Sequence, residues 1–246
     1  MMLAVLSGML TGIALGIFGS GGGIVVVPAL IYLLHLPPKE AIAMGLGIIA
    51  ITAVLSVVSH WRADNVDWRS AAIFGPIGMV GTYAGARLGA VVPASFQLVL
   101  FAVVMYLAAF RMLRKTVLIS GGMERKTHIA MLIAAGAGVG LLAGVVGVGG
   151  GFLIVPALVL LASVPMKRAV GTSLAVVSLN SVSGFVGYMG TVTVNYTLMG
   201  AFAAVTVISS LTGARMARRW KAETLKRSFA WCLIVVATYI LARSVI

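Results

Sequence analysis

Acidic residues are scarce in this sequence. Its 246 residues include 5 Asp and Glu against 18 Lys and Arg, which gives a net charge of +13. All five acids fall in predicted loops or at the ends of apolar segments: Glu40, Asp64, Asp67, Glu124 and Glu223. A pump or antiporter that relays protons through carboxylates places them within the membrane. This distribution therefore argues against a carboxylate relay.

Cysteine and the common catalytic motifs are also nearly absent. Cys232 is the only cysteine, so a disulfide framework and a thiolate metal site are both excluded. The sequence contains no phosphate-binding loop, no HExxH and no Cys/His cluster. We therefore predict no metal, no cofactor and no catalytic residue, and an intramembrane enzyme is disfavoured.

Charged residues make up 9% of the chain and hydrophobic residues 61%, whereas soluble domains carry about 25% charged residues. Apolar runs long enough to cross a bilayer recur throughout. The basic residues lie at the ends of these runs, which is typical of orientation signals and not of a nucleic-acid surface. No basic n-region or cleavage site precedes the first run, so no removable signal peptide is expected. The composition predicts an all-α polytopic membrane protein with the lipid bilayer as its surroundings and no nucleic-acid partner.

One segment occurs twice, the second copy 128 residues after the first and without a gap. GSGGGIVVVP at 19–28 matches GVGGGFLIVP at 147–156, and GAR at 85–87 matches GAR at 213–215. We place repeat 1 at about 3–115, repeat 2 at about 131–243 and a basic junction at about 111–128, all within one membrane domain over 1–246. A duplicated hydrophobic unit with glycine breaks at matching places is the usual sign of a secondary transporter.

Each repeat is predicted to begin with a helical hairpin broken at its glycines. The uncharged stretch before Lys39 would be about 55 Å long as one helix, which is too long for one upright span of about 30 Å. Three spans should follow each hairpin, at about 41–60, 70–91 and 95–113, and at about 169–188, 196–214 and 226–245.

The basic residues predict how the repeats are oriented. If each hairpin returns to its starting side, the repeats are inverted and the 18 Lys and Arg divide 3 to 15 between the two sides. Parallel repeats would divide them 8 to 10. Because cytoplasmic loops carry an excess of basic residues, we predict inverted repeats, with cytoplasmic basic loops and both termini outside.

The glycine tips are the first candidate binding site for a small anion: Ser20, Gly21, Gly22, Gly23, Gly149, Gly150 and Gly151. Unwound backbone leaves amide N–H groups without partners, and the helix that follows points its positive dipole end at the same place. The alternative is that the glycines only allow close helix packing. We assign that packing role to the glycine ladders at 8, 12 and 16 and at 136, 140 and 144.

Polar and cationic residues elsewhere add further candidates. Thr172, Ser173 and Asn180 lie on the span after the second hairpin and could donate to an oxyanion, or could only join helices. Arg87 and Arg215 are matched cations that could attract an anion. Both lie near span ends, so interfacial anchoring is the alternative.

The doubled Gly-x-Gly-Gly-Gly-x-x-x-x-Pro motif, with the Gly-Thr-Ser-Leu at 171–174 and Gly-Ala-Arg-Met-Ala-Arg-Arg at 213–219, resembles the TauE/SafE family of sulfite exporters. The resemblance implies a multi-pass inner-membrane protein that moves small sulfur-containing or organic anions, such as sulfite or sulfonates. The leading hypothesis is thus a secondary transporter that exports such an anion, held between the glycine breaks. An anion channel is the alternative.

Overall fold

The computed structural model describes residues 2–113, 125–160 and 164–245, and within these ranges the regular structure is entirely helical. Five of the described helices are long and apolar enough to cross a membrane: α3 (Pro38–Trp61), α5 (Ala94–Leu113), α8 (Met166–Tyr188), α9 (Tyr196–Arg219) and α10 (Ala222–Val245). Helix α4 (Trp68–Val91) is as long, contains Pro76 in its interior and is not one of these five. The junction at 114–124 lies outside the described residues.

Each repeat begins with a helix that is interrupted at its glycines. In repeat 1, α1 (Met2–Phe18) leads into a 3₁₀ helix over Gly19–Val25, a short α-helical turn α2 (Val26–Pro28) and a π-helical turn over Ala29–Leu33. In repeat 2, α6 (Arg125–Val146) and α7 (Gly151–Leu160) flank a turn at 147–150. Both breaks begin at an equivalent glycine with left-handed backbone, Gly19 with φ of +67° and Gly147 with φ of +77°. After it the first break continues as a 3₁₀ helix, which is tighter than an α-helix, whereas the second is a turn.

Both breaks reverse the chain direction. A Cβ on Gly150 would lie 2.7 Å from Cβ of Ala143, one to two turns back on α6. In repeat 1, the Phe18 ring packs on Phe229 with centroids 5.5 Å apart, and the Tyr32 ring on Tyr239 with centroids 5.3 Å apart. The segment after the first break therefore runs alongside α10, and its last turn, Ala29–Leu33, packs back against α1. Each repeat opens with a helical hairpin, as predicted.

The first helix of each repeat packs against a helix of the other repeat, through equivalent contacts. Helix α1 lies along α9, and its counterpart α6 lies along α4. A Cβ on Gly12 would overlap the carbonyl oxygen of Thr206, and one on Gly140 would lie 2.6 Å from the carbonyl oxygen of Gly78. These two contacts are equivalent, because the residues of one are 128 positions from those of the other. The packing role predicted for the glycine ladders is confirmed.

Helices α3 and α8 form the buried centre and run antiparallel. Gly184 near the end of α8 faces Leu46 near the start of α3, and Gly171 near the start of α8 faces His60 at the end of α3. Large apolar side chains cover the outer surface, where Leu10 is 65%, Val80 73% and Ile208 68% exposed. This is the distribution expected of helices that contact lipid.

Candidate functional site

The two glycine breaks meet in the buried centre. A Cβ on Gly23 would lie 3.5 Å from the carbonyl oxygen of Val148. One on Gly45 of α3 would lie 3.8 Å from the carbonyl oxygen of Gly147. Gly23 and Val148 are both buried. The structure thus brings together the two segments that the sequence identified as tips.

The second break has the geometry of a helix N-terminus preceded by left-handed backbone at three glycines. Gly147, Gly149 and Gly150 have φ of +77°, +64° and +76°, a region that L-residues with a Cβ rarely adopt. The N–H groups of Leu153 and Ile154 both donate to the carbonyl of Gly150. The first N–H groups of α7 have no intrahelical acceptor, and the helix dipole is positive at this end. Such a terminus favours an anion.

Oε1 of Gln97 on α5 has no hydrogen-bond partner among the described residues, and the same holds for three buried polar atoms on α4 and α8: Oγ of Ser181, Oδ1 of Asn180 and Oγ1 of Thr82. Their residues are 0%, 1% and 0% exposed. A Cβ on Gly149 would overlap Oγ of Ser181, so this hydroxyl faces the break directly. Asn180 was among the predicted residues. Ser181 and Thr82 were not, although the adjacency of Ser181 to Asn180 was a usable signal.

The other two predicted polar residues of α8 are occupied by structural bonds. Oγ of Ser173 donates to the carbonyl of Val170, 2.8 Å away. Oγ1 of Thr172 donates to the carbonyl of Arg168 and accepts from the N–H of Asp67 at 2.8 Å. Thr172 therefore fastens the start of α8 to the loop before α4. Their role in binding stays a prediction that these contacts do not favour.

The C-terminal end of α6, just before the second break, is held by two buried side chains. Nε2 of Gln97 donates to the carbonyl of Val145 at 2.6 Å, to that of Gly89 at 2.9 Å and to the Tyr188 hydroxyl at 3.2 Å. The Tyr188 hydroxyl also lies 3.4 Å from the carbonyl of Val145. These bonds satisfy a carbonyl that the end of α6 leaves without a helical partner. They hold the second break in place from α5 and α8.

Both predicted arginines lie at the surface. The guanidinium of Arg87 donates to the Tyr83 hydroxyl at 3.2 Å and lies 5.5 Å from its ring centroid. Arg215 lines a cleft of about 480 Å³ between α3 and α9, together with Arg62. Neither arginine reaches the breaks, and both positions suit anchoring at the interface.

Three of the four described carboxylates have partners at helix ends or loops. Asp67 caps the N-terminus of α4, Asp64 lies 3.5 Å from Arg168, and Glu223 pairs with Arg227 at 2.9 Å. Glu40 lies in the first turn of α3. The described residues contain no group of three His, Cys, Asp or Glu that could hold a metal ion. Glu124 and the Ser20 side chain lie outside what the structure describes.

Comparison with known proteins assigns a family to nearly the whole chain. Residues 4–240 match the family model described as sulfite exporter TauE/SafE. The chain belongs to the TauE/SafE sulfite exporter family. The family resemblance carried by the doubled glycine motif is thereby confirmed.

The TauE/SafE assignment agrees with individual relatives. A protein of Xylella fastidiosa named "Probable membrane transporter protein" is 31% identical, over 97% of this chain and 94% of its own length. A protein of Bacillus subtilis with the same description is 28% identical, over 92% and 94%. One from Methanocaldococcus jannaschii is 29% identical, over 79% and 74%. No solved structure matches the chain. The protein is a multi-span membrane transporter.

Proposed function

We propose that this protein exports small sulfur-containing or organic anions, such as sulfite or sulfonates, from the cytoplasm across the cell inner membrane. The anion would bind between the two glycine breaks, near the bilayer midplane. The observation that carries the proposal is the contact between the breaks, 3.5 Å from the Cβ position of Gly23 to the carbonyl oxygen of Val148. Discontinuous helices that meet in this way form the binding sites of many secondary transporters. The family's description as sulfite exporters supports the choice of substrate.

The chemistry around the breaks supports an anion over a cation. The positive end of α7 points into the site. The buried hydroxyls of Ser181 and Thr82 can donate hydrogen bonds. Three of the described carboxylates, Asp64, Asp67 and Glu223, have partners elsewhere in the protein.

We propose further that the two repeats are inverted. Inverted repeats require the equivalent helices α3 and α8 to run in opposite directions, as their contacts indicate. They also require α4 and α8 to run in the same direction. Gly75 faces Leu179 and Gly187 faces Ala86, so residue numbers rise together along this pair. Both observations support inversion, together with the 3 to 15 division of basic residues. The basic loops would be cytoplasmic and both termini outside.

Transport would proceed by the two halves rocking around the anion. The test is flux through proteoliposomes that contain the purified protein, with sulfite, methanesulfonate and acetate as candidate anions. We expect saturable uptake of at least one of them, and counterflow when the same unlabelled anion is loaded inside. Absence of flux for every anion would refute the proposal.

An anion channel is the second candidate, because the breaks could also line a continuous pore. A channel would give flux that does not saturate in the working range and no counterflow. Measuring counterflow in the same proteoliposomes separates these outcomes.

A further inference from the structure

Equivalent positions in the two repeats can be compared directly, because contacts between helices of the two repeats recur at residues 128 positions apart. A residue near the second break has its counterpart 128 positions away, near the first. Gly8 facing Val205 in one half corresponds to Gly136 facing Ile77 in the other. The polar residues on the two sides can therefore be matched one to one.

On the first side, the buried hydroxyls at the equivalent positions of α3 and α9 are satisfied within the protein, although that of Thr11 on α1 has no partner among the described residues. Oγ of Ser56 lies 3.0 Å from Oγ of Ser210, which itself donates to the carbonyl of Val207 at 2.8 Å. Oγ1 of Thr52 donates to the carbonyl of Ile48 at 2.8 Å. The neighbouring residue, Ala53, has no polar side-chain atom. These first-side hydroxyls are thus already engaged.

On the second side, the counterparts are different residues with different partners. Asn180 replaces Thr52, Ser181 replaces Ala53 and Thr82 replaces Ser210. Each of these three contributes a buried polar atom without a hydrogen-bond partner in the described part of the chain. Gly184 stands where the first side has Ser56, so the interhelical hydroxyl pair cannot form.

The three residues lie on facing turns of two helices. The amide oxygen of Asn180 on α8 would be 2.6 Å from a Cβ on Gly78 of α4. One turn further along both helices, the Thr82 methyl would be 2.9 Å from a Cβ on Gly184. Ser181 is next to Asn180 and faces the second break. Glycine opposite each of the three side chains leaves them room that a larger residue would fill.

We infer that the oxyanion head group binds off-centre, on the second-repeat side, where Thr82, Asn180 and Ser181 hold it next to the start of α7. This inference rests on the proposed function. Buried polar groups ordinarily have partners, and these three atoms have none among the described residues. At the equivalent first-side positions, Thr52 and Ser210 do have partners, and Ala53 has no polar atom to satisfy. The hydroxyls donate to the anion. The unpartnered atom of Asn180 is its amide oxygen, which is an acceptor, so Asn180 would contact the anion through the N–H groups of the same amide. All three groups are neutral, so the anion is held without a fixed counter-charge.

The test makes the second side resemble the first. Ser181→Ala and Asn180→Thr install the residues found at the equivalent first-side positions. Matched controls on the first side are Thr52→Val and Ser210→Ala. Flux of sulfite and of methanesulfonate is measured in proteoliposomes, with KM and maximal rate determined separately. We expect KM to rise roughly tenfold or more for each second-side variant, as for a lost hydrogen bond to a charged group, and to stay within about twofold for the controls.

A measurement on the ligand-free protein separates binding from folding. Removing a hydroxyl that supports the fold destabilises the protein, whereas removing an unpartnered buried hydroxyl does not. Ser181→Ala should therefore leave the melting temperature of the ligand-free protein unchanged or raised, and should lose the stabilisation that sulfite gives the wild type. Ser210→Ala should lower the ligand-free melting temperature and keep that stabilisation.

Several outcomes overturn the inference. An unchanged KM in Ser181→Ala and Asn180→Thr would mean that these groups do not contact the anion. Equal increases on both sides would mean that the anion binds symmetrically. Failure of the proposed function is distinguishable, because the wild type itself would then move no anion.

Discussion

Alanine at Gly149 should damage the second break for two separate reasons. The backbone there has φ of +64°, and an L-residue in this region costs about 1–2 kcal/mol. The new Cβ would also overlap Oγ of Ser181. Moving that side chain off its preferred rotamer costs about 0.5–1.5 kcal/mol. We expect Gly149→Ala to lose about 2–3 kcal/mol of stability and most of its transport.

Two other glycines provide matched controls. Gly190 has φ of +79° with no heavy atom within 4 Å of the place a Cβ would occupy, so Gly190→Ala carries the backbone strain alone. Gly23 carries no positive φ, and its nearest neighbour is the flexible end of Ile49 at 2.9 Å, so Gly23→Ala carries a mild contact alone. Thermal unfolding in detergent gives the stability of each variant, and flux of sulfite in proteoliposomes gives its activity.

The ranking of the three variants by stability and by flux tests this reasoning. Gly149→Ala should be the least stable and the least active, and Gly190→Ala should lose stability but keep transport. Gly23→Ala should keep its stability and lose part of its flux, because its methyl group lies between the two breaks. If Gly149→Ala kept wild-type stability and flux, the left-handed backbone at this break and its contact with Ser181 would not be features of the working protein.

Three further predictions concern Gln97, the carboxylates and the orientation of the repeats in the membrane. Gln97→Leu should lower stability by about 2–4 kcal/mol, because it leaves the carbonyls of Val145 and Gly89 without their donor; an unchanged melting temperature would contradict this. Neutralising any one of the five carboxylates should reduce flux by no more than a few fold, and complete loss on changing one would show that an acid lies on the pathway. In a Cys232→Ala background, cysteines at Asp64, Glu124 and Glu223 should be protected from an impermeant thiol reagent in intact cells, while one at Lys39 is labelled. Labelling at both 39 and 223 with protection at 64 and 124 would instead favour parallel repeats.

The helices could be predicted closely from the sequence, because hydrophobic runs and glycine breaks act locally. The span expected at 41–60 is α3 at Pro38–Trp61, and the one expected at 196–214 is α9 at Tyr196–Arg219. The conformation of the breaks was harder to predict from the sequence. Three consecutive glycines occur in both, yet one forms a 3₁₀ helix and the other a turn with several positive φ angles. Glycine permits either conformation. Contacts with the surrounding helices therefore determine which one each break adopts, and a local sequence pattern does not reveal those contacts.

The site could be predicted in outline but not in its polar detail. The glycine tips and Asn180 were predicted as candidate binding residues, since glycine runs and a polar residue stand out within apolar spans. The sequence could not separate Ser173 from Ser181, because both are serines on the same helix. The structure separates them by their partners: one hydroxyl is bonded to its own helix and the other is not. Whether a hydroxyl is satisfied depends on backbone carbonyls within about 3 Å, which a sequence does not reveal.

The duplicated architecture constrains the two halves unequally. Close helix contacts must be kept in both, since a Cβ on Gly16 would overlap the carbonyl of Ser210 just as one on Gly144 would overlap that of Thr82. The polar residues at the breaks face no such constraint, because a hydroxyl can bond its own helix at little cost. Polar groups could therefore diverge on one side while packing stayed symmetric. On this argument the positions where the repeats differ chemically, and not those where they agree, determine what the transporter binds.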